Sequence, residues 1–292
     1  MARSSAILAS LWSFWSRGAR VERAAYIVGG LLIVSGLIHL AILIIGGGSW
    51  QGPVSFRKPT TFGLSFGLTL ITIVWVAWFV RLTDRTRGLL LSGFTVACAV
   101  ETVLVTLQAW RGVPSHFNLE TTFDGLVARA LAAGGFVLVG IIVTFTLASF
   151  RANPAVPLSL RLAVRIGFVA LVAALAVGAL MIAKGMTLVF AGKPEAAYAT
   201  GGLLKPTHAV TMHAILILPM LAWLLSFANW SERRRVAAVI VASAGYLVFA
   251  GVVAVTNISG IESPATLALS AAGALVLAGT TVLAVVTAVR QP

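Results

Sequence analysis

The stretch Ala24–Gly46 reads AAYIVGGLLIVSGLIHLAILIIG and contains no Asp, Glu, Lys or Arg. A helix rises about 1.5 Å per residue, so about 20 such residues cross the hydrocarbon core of a bilayer. In lipid, every backbone polar group must be satisfied within the segment, as it is in a helix. The stretch therefore predicts a transmembrane helix.

Seven further runs of similar length and apolarity follow this one. They are approximately Thr61–Val80, Leu89–Trp110, Gly125–Ser149, Leu162–Ala183, Thr207–Phe227, Val236–Val255 and Ala265–Val289. Of the 292 residues, 59% are hydrophobic and 10% are charged, whereas a soluble domain carries about a quarter charged residues. The sequence predicts an all-α integral membrane protein with about eight transmembrane helices. Its expected partner is therefore the lipid bilayer that surrounds these helices.

The excess of basic residues, +13 overall, follows membrane topology and does not indicate nucleic-acid binding. These residues occupy the short gaps between apolar runs, so we expect no nucleic-acid partner. Of the 21 Lys and Arg residues, fourteen fall on one side when the spans alternate. The other seven are Arg57, Lys58, Arg111, Arg129, Lys184, Lys193 and Lys205. This imbalance predicts that both termini are cytoplasmic.

Two features extend the plan beyond the eight spans. Leu8, Trp12 and Trp15 stand among arginines before the first span, which predicts an interfacial helix within residues 1–23. Lys58-Pro59-Thr60 recurs 147 residues later as Lys205-Pro206-Thr207. The repeat favours two four-helix halves of one orientation, 24–149 and 150–292. Pro is also common in the first turn of any helix, which is the alternative explanation.

Polar residues at membrane depth are costly and usually face the bundle interior, so they carry the main functional signal. His39 lies ~10 Å below its helix end, His213 ~9 Å and Glu101 ~13 Å. These depths predict one pocket formed by the first, second, third and sixth spans, with Glu101 as the proton acceptor. His208 lies about 140° around the helix from His213 and belongs to the mouth of the pocket.

Loop residues and one polar stripe complete the predicted pocket. Four cations stand at the mouths of the same spans, namely Arg57, Lys58, Arg111 and Lys205. The polar residues predicted to line the pocket or its loop are Gln108, Ser65, Ser115, His116 and Asn118.

Three motifs resemble those of an uncharacterised family of bacterial multi-pass membrane proteins. They are SFRKP (residues 55–59), SHFN (residues 115–118) and HxxxxHA (residues 208–214). The resemblance implies the bacterial cytoplasmic membrane and brings no assigned activity. The doubled four-helix plan with outer histidines is also similar in outline to haem A synthases. This chain lacks their Glu-x-x-His-Arg-type motif, so their residues and activity are not transferred.

The first functional hypothesis is a haem-binding redox or electron-transfer protein. Haem b needs axial imidazoles from different helices at similar depth, which His39 and His213 provide, with His208 as the competing ligand. The four mouth cations would hold the propionates. The macrocycle needs small residues beside it, and the candidates are Gly29, Gly30, Gly36, Gly63 and Gly67.

Two other hypotheses use the same residues without haem. A transporter or lipid-binding protein would bind an anionic lipid or substrate at the basic mouth and a proton at Glu101. A quinone is a further candidate partner. A zinc-dependent intramembrane hydrolase would take its ligands from His39, His213 and Glu101, with His208 as a further candidate. The sequence leaves open whether the protein is an enzyme and whether it forms oligomers.

Overall fold

The computed structural model describes residues 2–199 and 204–290, which form ten helices and no strand. The first five are α1 (Ala2–Ser16), α2 (Arg20–Ile45), α3 (Arg57–Ala77), α4 (Asp84–Trp110) and α5 (Thr122–Ser149). The others are α6 (Leu158–Phe190), α7 (Pro194–Ala199), α8 (Lys205–Leu225), α9 (Glu232–Ser259) and α10 (Pro264–Arg290). The described ranges leave out residue 1 of the predicted N-terminal segment and residues 200–203, 291 and 292 of the predicted second half.

Eight of these helices are long and apolar enough to cross a membrane, which confirms the predicted spans. They are α2 to α6 and α8 to α10. The largest difference in bounds is at the end of α6, which runs to Phe190 instead of stopping near Ala183. The apolar run ends before Lys184, but a single exposed lysine does not interrupt helical hydrogen bonding.

The N-terminal segment forms a separate helix, α1, that packs on the end of α3. Phe14 makes edge contacts with Trp75, Trp78 and Phe79, at ring-centroid distances of 5.6–6.4 Å. Trp12 is 65% exposed on the same helix. The helix thus has one aromatic anchor in the bundle and an exposed apolar side, as an interfacial helix would. Because α2 begins at Arg20, the last residues of the predicted segment belong to the first span.

Glycines bring the backbones of α2 and α3 into direct contact. A Cβ added to Gly63 would lie 2.7 Å from Gly36 Cα, and one added to Gly67 would lie 2.6 Å from Gly29 O. Small residues permit this approach between membrane helices. These four glycines were candidates for making room for a macrocycle, and here the neighbouring helix fills that room. Only Gly30 of that set has open space beside it.

Equivalent contacts recur 148 residues apart in the chain. Arg87 Nη2 donates to Val80 O at 3.4 Å, and Arg235 Nη2 donates to Ala228 O at 2.9 Å. Each arginine thereby closes the turn that follows α3 or α8. The helix pairs repeat as well, since α2 packs on α3 as α6 packs on α8. This spacing is within one residue of the 147 that separates the Lys-Pro-Thr motifs; the duplication and the boundaries of the two halves stay predictions.

The two predicted halves contact each other through α5 and α6 and through α3 and α8, and the last two carry the recurring Lys-Pro-Thr motif at their first turns. Near their other ends, Trp75 and Trp223 make an edge contact at 6.1 Å. We call the end of the bundle where α3 and α8 begin the mouth end. The predicted functional residues lie on this half, and the Trp75–Trp223 contact lies at the opposite end.

Candidate functional site

His39 is buried near the mouth end, and both of its ring nitrogens are occupied. Nδ1 lies 2.7 Å from Ser35 O and must carry the proton, because a carbonyl oxygen only accepts. Nε2 then accepts from Trp110 Nε1 at 3.0 Å. The ring also stacks on Phe56, with centroids 6.0 Å apart. His39 therefore ties α2 to α4 and to the start of α3, and it has no free lone pair for iron or zinc.

The two histidines of α8 are arranged differently. His208 Nδ1 donates to Ala174 O of α6 at 2.7 Å, and His213 Nδ1 donates to Ala209 O at 2.6 Å. Neither Nε2 has a hydrogen bond to a described residue. A backbone bond at Nδ1 with a free Nε2 is the usual arrangement of a metal-binding histidine. However, no group of three His, Cys, Asp or Glu side chains suited to a metal ion exists within residues 2–199 and 204–290.

A buried hydrogen-bond network joins α4 to α5 at the mouth end. Asp124 Oδ1 accepts from Gln108 Nε2 at 2.9 Å and from Arg111 at 2.5 Å, while Thr121 Oγ1 donates to Asp124 Oδ2 at 2.6 Å. Arg111 also donates to Gln108 Oε1. The charge of Arg111, whose side chain is 36% exposed, is thus paired with Asp124, so this cation is not free to hold a propionate or another anion.

Asp124 is a functional candidate that sequence reasoning missed. Its carboxylate is almost fully buried, and it holds Gln108 and Arg111, both of which the sequence had singled out. The available signal was Thr121-x-x-Asp124, a helix-start pattern in which the threonine accepts from the Asp124 backbone N–H at 3.1 Å. That pattern predicts a helix cap, and it does not show that the carboxylate also binds an arginine.

The α4–α5 loop places Ser115 and His116 beside Lys58. Ser115 Oγ is 3.4 Å from Lys58 Nζ and 3.0 Å from His116 Nδ1. Burial and the positive charge of Lys58 lower the pKa of His116 from 6.5 to about 3. His116 is therefore neutral at physiological pH; Lys58 donates to Ser115, and Ser115 shares a hydrogen bond with His116 Nδ1. The loop adds hydrogen-bonding groups to this side of the mouth without adding charge.

Phe117 and Asn118, which follow in the same loop, are also held within the bundle. Phe117 has a positive φ of 66° and presses its ring against Gly185 of α6, where any Cβ would overlap it. Asn118 is fully buried; its Oδ1 accepts from Glu120 N at 3.1 Å, and its Nδ2 has no partner among the described residues. The SHFN segment thus covers the mouth end instead of extending into solvent.

Three positive charges from the two repeats converge at the mouth. Arg57 and Lys205 both act electrostatically on Lys58, and Arg57 acts on Lys205 as well. The ion pairs of the described residues are Arg111–Asp124 and Arg235–Glu232, so no carboxylate pairs with any of these three cations. The positive ends of the α3 and α8 helix dipoles point to the same place. We call Arg57, Lys58 and Lys205 the cation cluster.

The SFRKP motif explains how the cation cluster is held on the first repeat. Ser55 Oγ donates to Ser49 O at 2.5 Å and accepts from Arg57 N at 3.1 Å, which fixes the entry into α3. Arg57 Nε donates to Trp50 O at 2.9 Å. A cavity of about 230 Å³ lies under this loop, between Leu43 and Phe56.

The remaining predicted residues do not join the cation cluster. Glu101 is buried between α4 and α5, and it has no ion pair or hydrogen bond to any predicted ligand within the described chain. Ser65 is half-buried in α3 and makes no hydrogen bond to a described residue. The structure therefore brings together Arg57, Lys58, Lys205, Ser115 and His116, whereas His39 and Arg111 are bonded to other partners and Glu101 lies deeper in the bundle.

Comparison with known proteins adds no relative, because no family model, curated protein or solved structure matches the chain. The resemblance of its three motifs to a bacterial membrane family stays a prediction. Function must therefore be inferred from the site itself.

Proposed function

We propose that the protein binds the anionic headgroup of a lipid, or of a lipid-like substrate, at the cation cluster. The observation that carries this proposal is the convergence of Arg57, Lys58 and Lys205 from both repeats without a carboxylate partner. Uncompensated like charges repel one another, so an anion that bridges them is stabilised by all three. Arginine and lysine at the level of the headgroups are the usual ligands of phosphate-bearing lipids.

The helix ends and the loop support the same ligand class. The positive dipole ends of α3 and α8 point towards the mouth, which favours phosphate or carboxylate there. Ser115 accepts from Lys58 Nζ at 3.4 Å, which helps to hold this cation at the mouth. The proposal makes the protein a cofactor-free lipid-binding or transport protein.

The test is lipid binding by the detergent-purified protein, measured by native mass spectrometry with phosphatidylglycerol and with phosphatidylcholine. Replacing Arg57, Lys58 and Lys205 by Gln should weaken phosphatidylglycerol binding by at least about tenfold, because each charged hydrogen bond is worth about 1.5–3 kcal/mol before screening. Phosphatidylcholine binding should change little.

The matched control removes three exposed arginines from the opposite end, Arg20, Arg85 and Arg233. Both triple variants lower the net charge equally, so a difference between them reports on position and not on total charge. Equal loss of phosphatidylglycerol binding in the two variants would refute a specific site at the mouth.

A haem-binding role is a second candidate, and one observation favours it. The free Nε2 atoms of His208 and His213 could each supply an axial ligand at the α6–α8 side of the mouth. The ligand pair predicted from the sequence does not fit, because the second nitrogen of His39 accepts from Trp110. A visible spectrum after haem-replete expression decides this candidate. A Soret band that is lost in His213→Ala would support it, and a colourless, folded sample would refute it.

A further inference from the structure

Glu101 stands apart from every other acidic residue of the described helices. Each of the others lies in the first turn of its helix, where the dipole and free N–H groups stabilise negative charge. Glu101 lies in the body of α4, nine residues before its end at Trp110, which places it ~13 Å from the mouth end. No helix terminus is available there to stabilise a carboxylate.

The Glu101 carboxyl group is packed into the contact between α4 and α5. The residue is 4% exposed, and Oε1 is fully buried with no hydrogen-bond partner among the described residues. The carboxyl group fills the space left by the missing side chain of Gly134, because a Cβ at that position would overlap Oε1. The Thr102 hydroxyl, next along the helix, donates to Cys98 O and is not directed to Glu101.

An apolar plug separates Glu101 from the polar network at the mouth. Val105, Val127 and Leu131 form a small cluster of their own between α4 and α5, with Phe62 and Leu104 packed around it. Val105 lies one turn from Glu101 towards the mouth, and the Gln108–Asp124 hydrogen bond lies one turn further on. Apolar side chains thus separate Glu101 from the hydrogen-bonding groups at the mouth.

No cation compensates Glu101 from the helices that pack on α4. On α3 and α2, the nearby ionisable groups Lys58 and His39 lie at the mouth end and are bonded elsewhere. On α5, Asp124 is held by Arg111, and Arg129 is exposed. Cys98, one turn away on α4, is a buried thiol. Ionisation of the carboxyl group here would cost its full desolvation free energy, whereas the neutral carboxylic acid avoids that cost.

We propose that Glu101 is a proton-binding site in the membrane interior, a carboxylic acid that keeps its proton at neutral pH. Its ligand is the proton, and the apolar plug separates that proton from the water at the mouth. This site is independent of anion binding at the cation cluster. The inference rests on the burial, the unpartnered oxygen and the glycine that accommodates the carboxyl group.

The test uses the reaction of a protonated carboxyl group with dicyclohexylcarbodiimide, a membrane-soluble carbodiimide. The acid adds across one C=N bond, its proton goes to nitrogen, and the resulting O-acylisourea rearranges to a stable N-acylurea. No other reactant is needed. We expect one adduct per chain at pH 7, located at Glu101 by peptide mass spectrometry and absent from Glu101→Gln.

Glu22 is the internal control, because its exposure is also 4% but its carboxylate accepts from Ala19 N at 2.8 Å. We expect Glu22 to stay unmodified. Infrared spectroscopy provides a second measurement that does not depend on reagent access. The wild-type minus Glu101→Gln difference spectrum should contain the carbonyl stretch of a protonated carboxylic acid at pH 7. Carboxylate bands in that spectrum, together with an unmodified Glu101, would overturn the proposal.

Discussion

Replacement of Gly67 by Ala should separate α2 from α3 and destabilise the protein. The new Cβ would lie 2.6 Å from Gly29 O and 2.9 Å from Ile33 N, whereas an ordinary contact begins at 3.4 Å. The methyl group is therefore about 0.8 Å too close to a backbone oxygen that cannot rotate away. Overpacking of this kind costs about 1–3 kcal/mol, which exceeds the gain of about 0.5–1 kcal/mol from replacing Gly in a helix.

The assay is thermal unfolding in detergent, with Gly30→Ala as the matched control. Gly30 lies on the same helix as Gly29, but a Cβ there would meet nothing within 4 Å. We expect Gly30→Ala to unfold at the same temperature as the wild type or slightly higher, and Gly67→Ala to unfold several degrees lower. Equal stability of the two variants would refute the close packing of α2 on α3. The space beside these glycines would then be open to a ligand.

Three further predictions concern the mouth. Asp124→Asn should lower the free energy of unfolding by about 1–3 kcal/mol, because Arg111 loses its partner, and adding Arg111→Gln should recover part of this loss; denaturant titration of the single and double variants measures it. His39→Phe should lower the free energy of unfolding by about 0.5–1.5 kcal/mol, because the hydrogen bond from the partly exposed Trp110 is lost; an unchanged denaturant midpoint would count against this contact. As pH falls from 6.5 towards 3, His116 takes up a proton in the unfolded chain before it does so in the folded one. The free energy of unfolding should therefore fall by up to about 1.4 kcal/mol per pH unit. Thermal unfolding at pH 4–7 should show a smaller slope for His116→Gln.

The spans could be predicted because the property that defines them, a long uncharged run, is local in the sequence. The end of α6 could not, because it depends on an exposed Lys184 that the helix tolerates. The recurrence of Lys-Pro-Thr indicated a repeat, and the structure adds the equivalent arginine contacts at Val80 and Ala228. These contacts are made by a side chain to a backbone oxygen seven residues away, which composition and periodicity do not show.

The candidate site could be predicted only in part, because depth in the membrane does not determine which side chains meet. His39 and His213 have similar depths, yet Trp110 of α4 takes the second nitrogen of His39. Arg111 was predicted with the other mouth cations, but Asp124 neutralises it. The convergence of Lys58 with Lys205 depends on the contact between α3 and α8, which no local pattern reveals.

The Trp75–Trp223 contact joins two positions that are 148 residues apart and equivalent in the two repeats. In a symmetric dimer, a residue near the two-fold axis meets its own copy. Under the duplication that the sequence predicts, Trp75 and Trp223 would be the copies of one position, packed against each other at a pseudo-two-fold axis. Trp110, which binds His39, has Ile258 148 residues later, so the counterpart of this contact is absent from the second half while the Trp75–Trp223 pair keeps the same side chain on both sides.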